Sequence, residues 1–355
     1  MTSTVFFIKG SRKDSDALLA RKALKVFERL DLCKNINKED FVGLKIHFGE
    51  KDNKGYIKPP WLKDLIKQLK SITQRVFITD TNTLYVGNRS NACDHLKLAQ
   101  EHGFSLETLG IPVLIADGLI GRNDEEINVG LPRIKTAKIS ETISSTDWLV
   151  SLSHFTGHVL TGFGATIKNL GMGCASRAGK LDQHSDVQPY VDAKLCTNCG
   201  VCLDYCPAEA IVERNEKAYI LKDKCIGCGE CLVVCNRGAV KMRWDGDAAR
   251  VQEKMVEYAY SVVQTVNKGV VGLTFLTQIT KDCDCMSKSE KVIVEDIGIL
   301  ASTDPVALDI AAVDLIQSQK KDILKSSNDV DWTIQLRHGE DIGLGSLNYQ
   351  LIEID

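Results

Sequence analysis

The sequence predicts an α/β fold, in which one large discontinuous α/β domain is interrupted by a small α+β insertion. Three observations predict it. Short apolar runs alternate with amphipathic helical stretches over the first half of the 355 residues. A cysteine-rich segment follows, at residues 191–244, and the alternation then resumes. We therefore expect residues 1–190 and 245–355 to form one domain that carries the insertion in a surface loop.

The first part of the chain alternates between strand and helix patterns. Short β-branched or aromatic runs predict strands at Val5–Ile8, Phe41–Phe48, Arg75–Thr79, Pro112–Ala116 and Asp147–Leu152. Apolar residues at helical spacing predict helices at Asp16–Leu30, Trp61–Leu69 and Asn91–His102. Strands that alternate with helices place the helices on the faces of a sheet.

The last part of the chain continues the same pattern. It predicts a helix near Asp247–Val266 and strands at Val270–Leu276 and Lys291–Val294. The clearest helix start is Asp304 followed by Pro305, an N-cap with proline at the first helical position, which leads into Val306–Ile316. Three consecutive domains are the alternative. It is disfavoured because the last part is small and has few predicted strands.

Composition excludes some classes of function. Hydrophobic residues make up 44% of the chain, charged residues 26%, and the net charge is −3, as in an ordinary globular protein. This charge gives no basic surface for nucleic acid and no attraction to an anionic membrane. No apolar run is long enough for a membrane span, and the first residues lack the basic region of a signal peptide. We expect a cytoplasmic protein.

Eight of the thirteen cysteines form two runs with identical spacing. The runs are Cys196, Cys199, Cys202 and Cys206, then Cys225, Cys228, Cys231 and Cys235. This spacing is typical of proteins that bind two [4Fe–4S] clusters, in which the last cysteine of each run ligates the other cluster. One cluster is therefore assigned to Cys196, Cys199, Cys202 and Cys235, and the second to Cys225, Cys228, Cys231 and Cys206. The insertion is predicted to be a bicluster ferredoxin-like domain that transfers single electrons.

Two other uses of the cysteines are less consistent with the sequence. A disulfide framework needs an oxidising compartment and usually a small chain. Structural zinc sites need pairs of cysteines, but not two complete runs with this internal spacing. Clusters in a reducing cell interior indicate an anaerobe. Outside the runs, Cys33 and Cys93 lie in helical contexts and are expected to be structural, as small core residues.

Several motifs outside the cysteine runs resemble one known family. They are SHFTGH at 153–158, GFGATIKNLGMGC at 162–174, LKIHFGE at 44–50, TDTNTLY at 79–85, DCDC at 282–285 and DIGILAS at 296–302. Together they are similar to the family catalogued as domain of unknown function 362, whose members like this chain carry a bicluster ferredoxin. The resemblance implies an iron–sulfur protein of bacteria or archaea, and it implies no particular reaction.

Cys283 and Cys285 are candidates for a third metal or redox cofactor. Residues two apart on a strand point to the same face, so both sulfurs could reach one metal. Histidine and thiolate ligands suit zinc, iron or nickel. The completing ligands would be His154, His158 or Cys174. The alternative is a pair of partly buried thiols at the end of a strand.

The glycine-rich segment between Gly157 and Gly179 supplies the candidate catalytic residues His154, His158 and Lys168. Its six glycines allow backbone amides to approach an anion, and Lys168 would begin a short helix where it meets a carboxylate or phosphate. The segment does not match the P-loop motif. The alternative is a tight turn packed against the cluster domain, with hydrogen-bonded core histidines.

Polar residues also follow the predicted strands of the first part. Lys45, His47, Asp80 and Asn82, with Tyr85 nearby, are expected at carboxyl ends of strands. Ligands of open α/β sheets bind at that edge. These residues are therefore candidates for cofactor binding in a cleft shared with the glycine-rich segment.

Three functions fit these patterns. The first is a ferredoxin-fused oxidoreductase, whose two clusters deliver low-potential electrons to a small-molecule substrate or metal in the α/β domain. The second is a plain electron carrier, whose α/β domain docks a redox partner protein. The third is a metal-handling or assembly protein that uses Cys283 and Cys285. The first is favoured because a carrier does not need a domain several times larger than its ferredoxin.

Overall fold

The computed structural model describes residues 2–85, 87–184, 189–225, 227, 229–241, 247–286 and 291–355. The strands are β1 (Ser3–Lys9), β2 (Val42–Lys45), β3 (Val76–Asp80), β4 (Val113–Ile115), β5 (Asp124–Asn128), β6 (Thr136–Ser140), β7 (Trp148–His154), β8 (Thr156–His158), β9 (Gly162–Gly164), β10 (Tyr190–Val191), β11 (Ile211–Arg214), β12 (Lys217–Ile220), β13 (Val240–Lys241), β14 (Gly269–Leu276), β15 (Ile279–Thr280), β16 (Val292–Val294), β17 (Gly298–Ser302) and β18 (Tyr349–Ile354).

The helices connect these strands. They are α1 (Asp16–Glu28), α2 (Lys63–Lys70), α3 (Ala92–Glu101), α4 (Leu106–Leu109), α5 (Glu141–Ser144), α6 (Thr166–Gly171), α7 (Arg177–His184), α8 (Val201–Asp204), α9 (Glu230–Val234), α10 (Ala248–Thr265), α11 (Pro305–Gln319), α12 (Ile323–Ser327) and α13 (Thr333–Asp341). Single 3₁₀ turns lie at Leu32–Lys34 and Pro59–Leu62.

An eight-stranded mixed sheet organises the molecule, in the order β18-β1-β17-β14-β7-β2-β3-β4. Most neighbours are parallel, and β17 alone runs antiparallel to both of its neighbours, β1 and β14. The fold is therefore a mixed α/β fold with a parallel-dominated sheet. Strands from both sides of the cysteine-rich segment share this sheet. The exact domain boundaries at residues 190 and 245 stay predictions.

The predicted helices and strands correspond to observed elements within a few residues, and Asp304 caps α11 through the backbone N–H groups of Val306 and Ala307. The predicted strand at Lys291–Val294 is β16, which pairs with β15 outside the large sheet. Sequence reasoning missed β17 and β18. A fully buried strand such as β17 lacks alternation, and β18 pairs with β1 across almost the whole chain.

Apolar side chains fill both faces of the sheet, because successive residues of a strand point to opposite sides. Leu149 and Leu300 contribute to a core beneath α10 and α11. Their neighbours Val150 and Ile299 contribute to a second core beneath α1 and α2. The sheet is thus covered by helices on both faces, which leaves its strand ends as the place for a polar site.

The cysteine-rich segment forms a small unit with its own core and an internal repeat. Its ends lie side by side, because β10 pairs with β13. The N–H of Asp192 bonds the carbonyl of Ala239 at 2.7 Å, and the N–H of Leu221 bonds that of Ala210 at 2.7 Å. Each bonded residue precedes its cysteine run by four positions, so the sequence duplication is also a duplication of hydrogen bonds.

Within the described part of the chain, no helix has the length and apolar character required to cross a membrane.

Helix α6 approaches α10 closely enough that only glycine fits at Gly171. A Cβ atom there would lie 2.1 Å from the carbonyl oxygen of Met255. We expect Gly171→Ala to lower the free energy of unfolding by about 1–3 kcal/mol, the usual cost of overpacking a core. Gly87→Ala is the matched control, since the nearest atoms to its Cβ, in the Tyr85 ring, would lie at 3.9 Å, an ordinary van der Waals contact. Thermal unfolding curves that are equal for the two variants would contradict this packing.

Candidate functional site

A cavity of about 940 Å³ lies at the carboxyl ends of β2, β3 and β7. Its wall is formed by the loops that follow these strands, by α6 and α7, and by the turn at residues 282–286. The structure brings most of the predicted site residues together here. They are Lys45, His47, Asp80, Tyr85, His154, His158, Lys168, Cys283 and Cys285.

Asn82 does not line the cavity, contrary to its expected role in cofactor binding. Its side-chain amide donates to Asp117 Oδ1 at 2.9 Å and to the carbonyl of Gly118 at 2.8 Å. Burial raises the pKa of Asp117 to about 6. Asn82 therefore holds the loop after β3 in place and does not face a ligand.

Lys45 and Asp80 form a buried ion pair where β2 and β3 end. The ammonium donates to Asp80 Oδ1 at 3.0 Å, to Asn169 Oδ1 at 2.9 Å and to the carbonyl of Ile46 at 3.1 Å. Burial alone would raise the pKa of Asp80, but the charge of Lys45 and a hydrogen bond with His95 hold it well below its usual value. Since all three ammonium hydrogens are used, Lys45 orders the site rather than binding a ligand directly.

Arg89 and Glu50 belong to the same site and were missed by sequence reasoning. Arg89 donates to Glu50 Oε2 at 3.0 Å and to the Tyr85 hydroxyl at 2.7 Å, and its Nη1 lies 3.4 Å from Asp80 Oδ2. Arg89 lies in an irregular loop without a pattern to mark it. Glu50 ends the family-like stretch at 44–50, which was the available signal.

His154 is held by both of its ring nitrogens. Nδ1 donates to Asp284 Oδ2 at 2.6 Å, and Nε2 donates to the carbonyl of Thr277. Burial alone would lower the pKa of His154, but the carboxylate of Asp284 and these hydrogen bonds raise it. His154 is thus a buried imidazolium with no nitrogen left for a substrate or a metal, and the proposed catalytic role does not suit it.

Cys283 and Cys285 lie in a turn, not on the expected strand. The N–H of Met286 bonds the carbonyl of Cys283 at 3.0 Å, and the N–H of Cys285 bonds the Cys283 sulfur at 3.3 Å. The sulfurs still converge, because the turn folds both side chains toward the cavity. The two sulfurs therefore point to the same side, as expected, but because of this turn and not because of a strand.

The thiol of Cys283 contacts the ammonium of Lys168, with a distance of 3.3 Å between Nζ and Sγ. A hydrogen bond with Cys285 lowers the pKa of Cys283, burial opposes it, and the charge of Lys168 lowers it further. The same hydrogen bond raises the pKa of Cys285. The pair therefore carries one negative charge, mainly on Cys283, and Lys168 is its counter-ion.

His158 completes a group of potential metal ligands. One of its ring nitrogens and the sulfurs of Cys283 and Cys285 all lie within 4.8 Å of one another. Nδ1 accepts the N–H groups of Leu160 and Thr161 at 3.3 and 3.2 Å. Burial and the charge of Lys168 keep the pKa of His158 well below its usual value, so the ring is neutral and carries its hydrogen on Nε2.

This group can act in two ways. A soft metal ion could bind the sulfurs if it displaced the Lys168 ammonium and the Nε2 hydrogen of His158. Without a metal, the same atoms form a hydrogen-bonded thiolate. Cys174, also considered as a ligand, is buried outside this group, and its sulfur lies 3.7 Å from the carbonyl of Asn169.

Helix α6, which carries Lys168 and Asn169, is fixed at its start by Asp309 of α11. The carboxylate accepts the N–H groups of Thr166 and Ile167, each at 2.9 Å. Burial raises the pKa of Asp309 to about 7, although these hydrogen bonds oppose the rise. The position of Lys168 thus depends on a carboxyl group buried behind the cavity.

Lys180 of α7 is a further cavity residue that sequence reasoning missed. Its ammonium donates to the Thr81 hydroxyl at 2.6 Å and to the carbonyl of Ala175 at 2.5 Å. Burial lowers the pKa of Lys180 to about 8, in spite of the carboxylates of Asp117 and Asp80. This cation therefore lines the cavity with neutral oxygen atoms as its hydrogen-bond partners.

The cysteine-rich segment places described cysteines of both runs near one another, and their assignment to two clusters stays a prediction. Burial raises the pKa of Cys202 to about 11, and the neighbouring thiols of Cys235, Cys196 and Cys199 add to the rise. Those four are the first predicted ligand set. Of the second set, Cys206, Cys225 and Cys231 line one small cavity. Cys228 lies outside the described residues.

The cysteine-rich segment packs directly against the wall of the large cavity. Leu84 lines that cavity and also belongs to the core of the segment, together with Leu181 of α7. Arg177 donates to Glu230 Oε1 at 2.7 Å, and both side chains are buried. Glu230 lies beside Cys231, so one layer of side chains joins the two sites.

Cys33 is half-buried, and Cys93 is exposed on α3, so the expected core position is wrong for Cys93.

Comparison with known proteins identifies one family. The profile described as domain of unknown function (DUF362) matches residues 42–314. A crystal structure of a protein from Thermotoga maritima aligns with 8% identity and a TM-score of 0.47, over 88% of this chain and 60% of that one. Lactate racemase apoprotein from Thermoanaerobacterium thermosaccharolyticum aligns with 12% identity and a TM-score of 0.44, over 90% and 58%. The chain thus spans less than two thirds of either protein. No curated protein matches it.

Asp309 gives a pH dependence that can be measured. Because its pKa is raised to about 7 in the folded chain, the folded state holds a proton that the unfolded state has lost above its usual pKa of 3.8. Its contribution to stability is therefore fully present below its usual pKa of 3.8 and is lost as pH rises from there to about 7.

The variant Asp309→Asn should lack this dependence of stability on pH. We expect the difference in thermal midpoint between wild type and variant to shift in favour of the variant as pH rises from about 5 to about 7. Asp314→Asn is the control, since Asp314 is an exposed residue of the same helix that bonds the Tyr349 hydroxyl. A constant difference between wild type and Asp309→Asn across this range would contradict the raised pKa.

Proposed function

The chain belongs to the domain of unknown function (DUF362) family, and we propose that it is an iron–sulfur redox protein. In this proposal, low-potential electrons pass from two [4Fe–4S] clusters in an inserted bicluster ferredoxin-like domain to a site in the α/β domain. The observation that carries it is the position of Leu84, which contacts the cysteine-rich core on one side and the thiol-lined cavity on the other.

The environment of the cysteines supports these thiols as ligands of iron–sulfur clusters. Backbone N–H groups point at the sulfurs: Ala210 to Cys206 at 3.2 Å and Ala239 to Cys235 at 3.2 Å. Hydrogen bonds to the sulfurs set the reduction potential of such clusters. These two bonds occupy equivalent positions in the duplicated halves, so the two sites should be similar. Bound clusters would supply one electron at a time.

The α/β domain supports an oxidoreductase rather than a docking module. Its cavity is large and lined by titratable groups, among them the Cys283 thiol, Lys168 and His158. Lys168 lies where it can neutralise a negative charge that forms on a reduced substrate, and His158 offers an N–H donor. The reaction class that we propose is reduction of a small molecule in this cavity. Eight thiolates suit a cytoplasmic, reducing environment.

Two alternatives keep specific support. A plain electron carrier with a redox partner protein would use exposed residues of the cysteine-rich segment, such as Tyr205 and Tyr219. A metal-handling protein would use His158, Cys283 and Cys285, which can hold an ion among them. We favour the redox function over metal handling, because the ammonium of Lys168 contacts Cys283 and already balances the charge of its thiolate.

Cluster assembly is tested by single cysteine substitutions. Protein purified without oxygen should contain about eight iron atoms, the content of two four-iron clusters. Cys202→Ser and Cys231→Ser should each lose about half of the iron, because each removes a ligand of a different cluster. Cys33→Ser is the control and should keep it all. Iron and sulfide analysis measures this, and a folded wild-type chain without iron would overturn the proposal.

The possible third metal site is tested by substituting Cys283 in the turn at residues 282–286. If Cys283 and Cys285 hold an ion, metal analysis should find about one zinc, nickel or additional iron atom per chain, and Cys283→Ser should remove it while the cluster iron stays. If they form a thiolate with Lys168 instead, wild type and Cys283→Ser should have identical metal contents. Cys93→Ser serves as the exposed control.

A further inference from the structure

His47 has a buried ring nitrogen that no described residue satisfies. The ring follows β2 and lines the large cavity. Its Nδ1 accepts the N–H of Gly49 at 3.0 Å. A neutral ring therefore carries its hydrogen on Nε2, and this Nε2 is buried with no hydrogen-bond partner in the part of the chain that is described. Buried donors in folded proteins normally find an acceptor in protein, water or ligand, so the acceptor for Nε2 comes from whatever fills the cavity.

The charges around the ring keep it neutral. Burial and the charge of Arg89 hold the pKa of His47 well below its usual value, and Lys168 and Lys45 add to the effect. Only Asp80 among the strongest influences opposes it. The hydrogen on Nε2 is thus a fixed donor at neutral pH and not a proton that exchanges with the site.

The partners of the cavity cations decide what the acceptor is. Lys45 and Arg89 are paired with Asp80 and Glu50, and the ammonium of Lys168 contacts the Cys283 thiol. Lys180 adds a fourth cation to the cavity wall, with a hydroxyl and a carbonyl as its hydrogen-bond partners among the described residues. A neutral carbonyl would satisfy the N–H donor, but an anion would also pair with the ammonium of Lys180.

We propose that the cavity binds the oxyanion group of an acidic small molecule, a carboxylate or a phosphate, with His47 Nε2 donating to one of its oxygens and Lys180 supplying the opposite charge. The inference rests on the proposed function, since it names the substrate class of that site.

Calorimetric titration without oxygen tests this, with oxalate and inorganic phosphate as the probes. We expect wild type to bind at least one probe with one saturable site. His47→Ala and His47→Phe, which both lack the donor, should bind it at least about tenfold more weakly, which corresponds to about 1.4 kcal/mol. His47→Gln, which keeps an N–H donor, should stay within a few-fold of wild type. If His47→Ala does not fold, the comparison with wild type rests on His47→Phe.

His102→Ala is the control, because this histidine stacks on Tyr56 outside the cavity. Binding of oxalate alone indicates a carboxylate substrate, and binding of phosphate alone indicates a phosphorylated one. If wild type binds neither probe, or if the variants without a donor bind as well as wild type, the inference is wrong.

Iron analysis of the same samples separates this inference from the proposed function. A chain that lacks iron but binds a probe through His47 would overturn the redox function and leave the anion site standing. A chain with about eight iron atoms that binds neither probe would support the redox function and overturn the anion site.

Discussion

The buried ion pair between Lys45 and Asp80 is the contact on which the site depends. It joins the ends of two parallel strands, and Asn169 extends it to helix α6. A buried charge without its partner costs several kcal/mol, so the pair fixes both strands and the helix in one arrangement. His47, Arg89 and Lys168 then face the same cavity because their elements cannot move independently.

A second layer joins this edge of the sheet to the cysteine-rich segment. The segment has a small core, and two side chains from outside it, Leu84 and Leu181, complete that core. Leu84 fills its core, and the buried contact between Arg177 and Glu230 fixes the register of α7 against α9. The cavity and the cysteine-rich segment therefore share a wall.

The sequence predicted what depends on local pattern. The strand and helix periods located the sheet, and the two cysteine runs located two thiol groups. The cleft was also predictable, because Lys45, Asp80 and His154 each end a parallel strand. Long-range partners were not predictable. Nothing in the sequence pattern shows that Asp284 stabilises the charged form of His154 and orients its ring. Nor does it show that Arg89 reaches Glu50 from an irregular loop.

Chemical roles changed where the structure supplied partners. His154 became a structural cation, Asn82 a loop anchor, and Cys283 a thiolate balanced by Lys168.

Electron paramagnetic resonance of the anaerobic protein after dithionite reduction tests the central claim most directly. Our account predicts signals of two magnetically interacting [4Fe–4S]⁺ clusters, with about two spins per chain. A folded, colourless chain with no iron signal would contradict it.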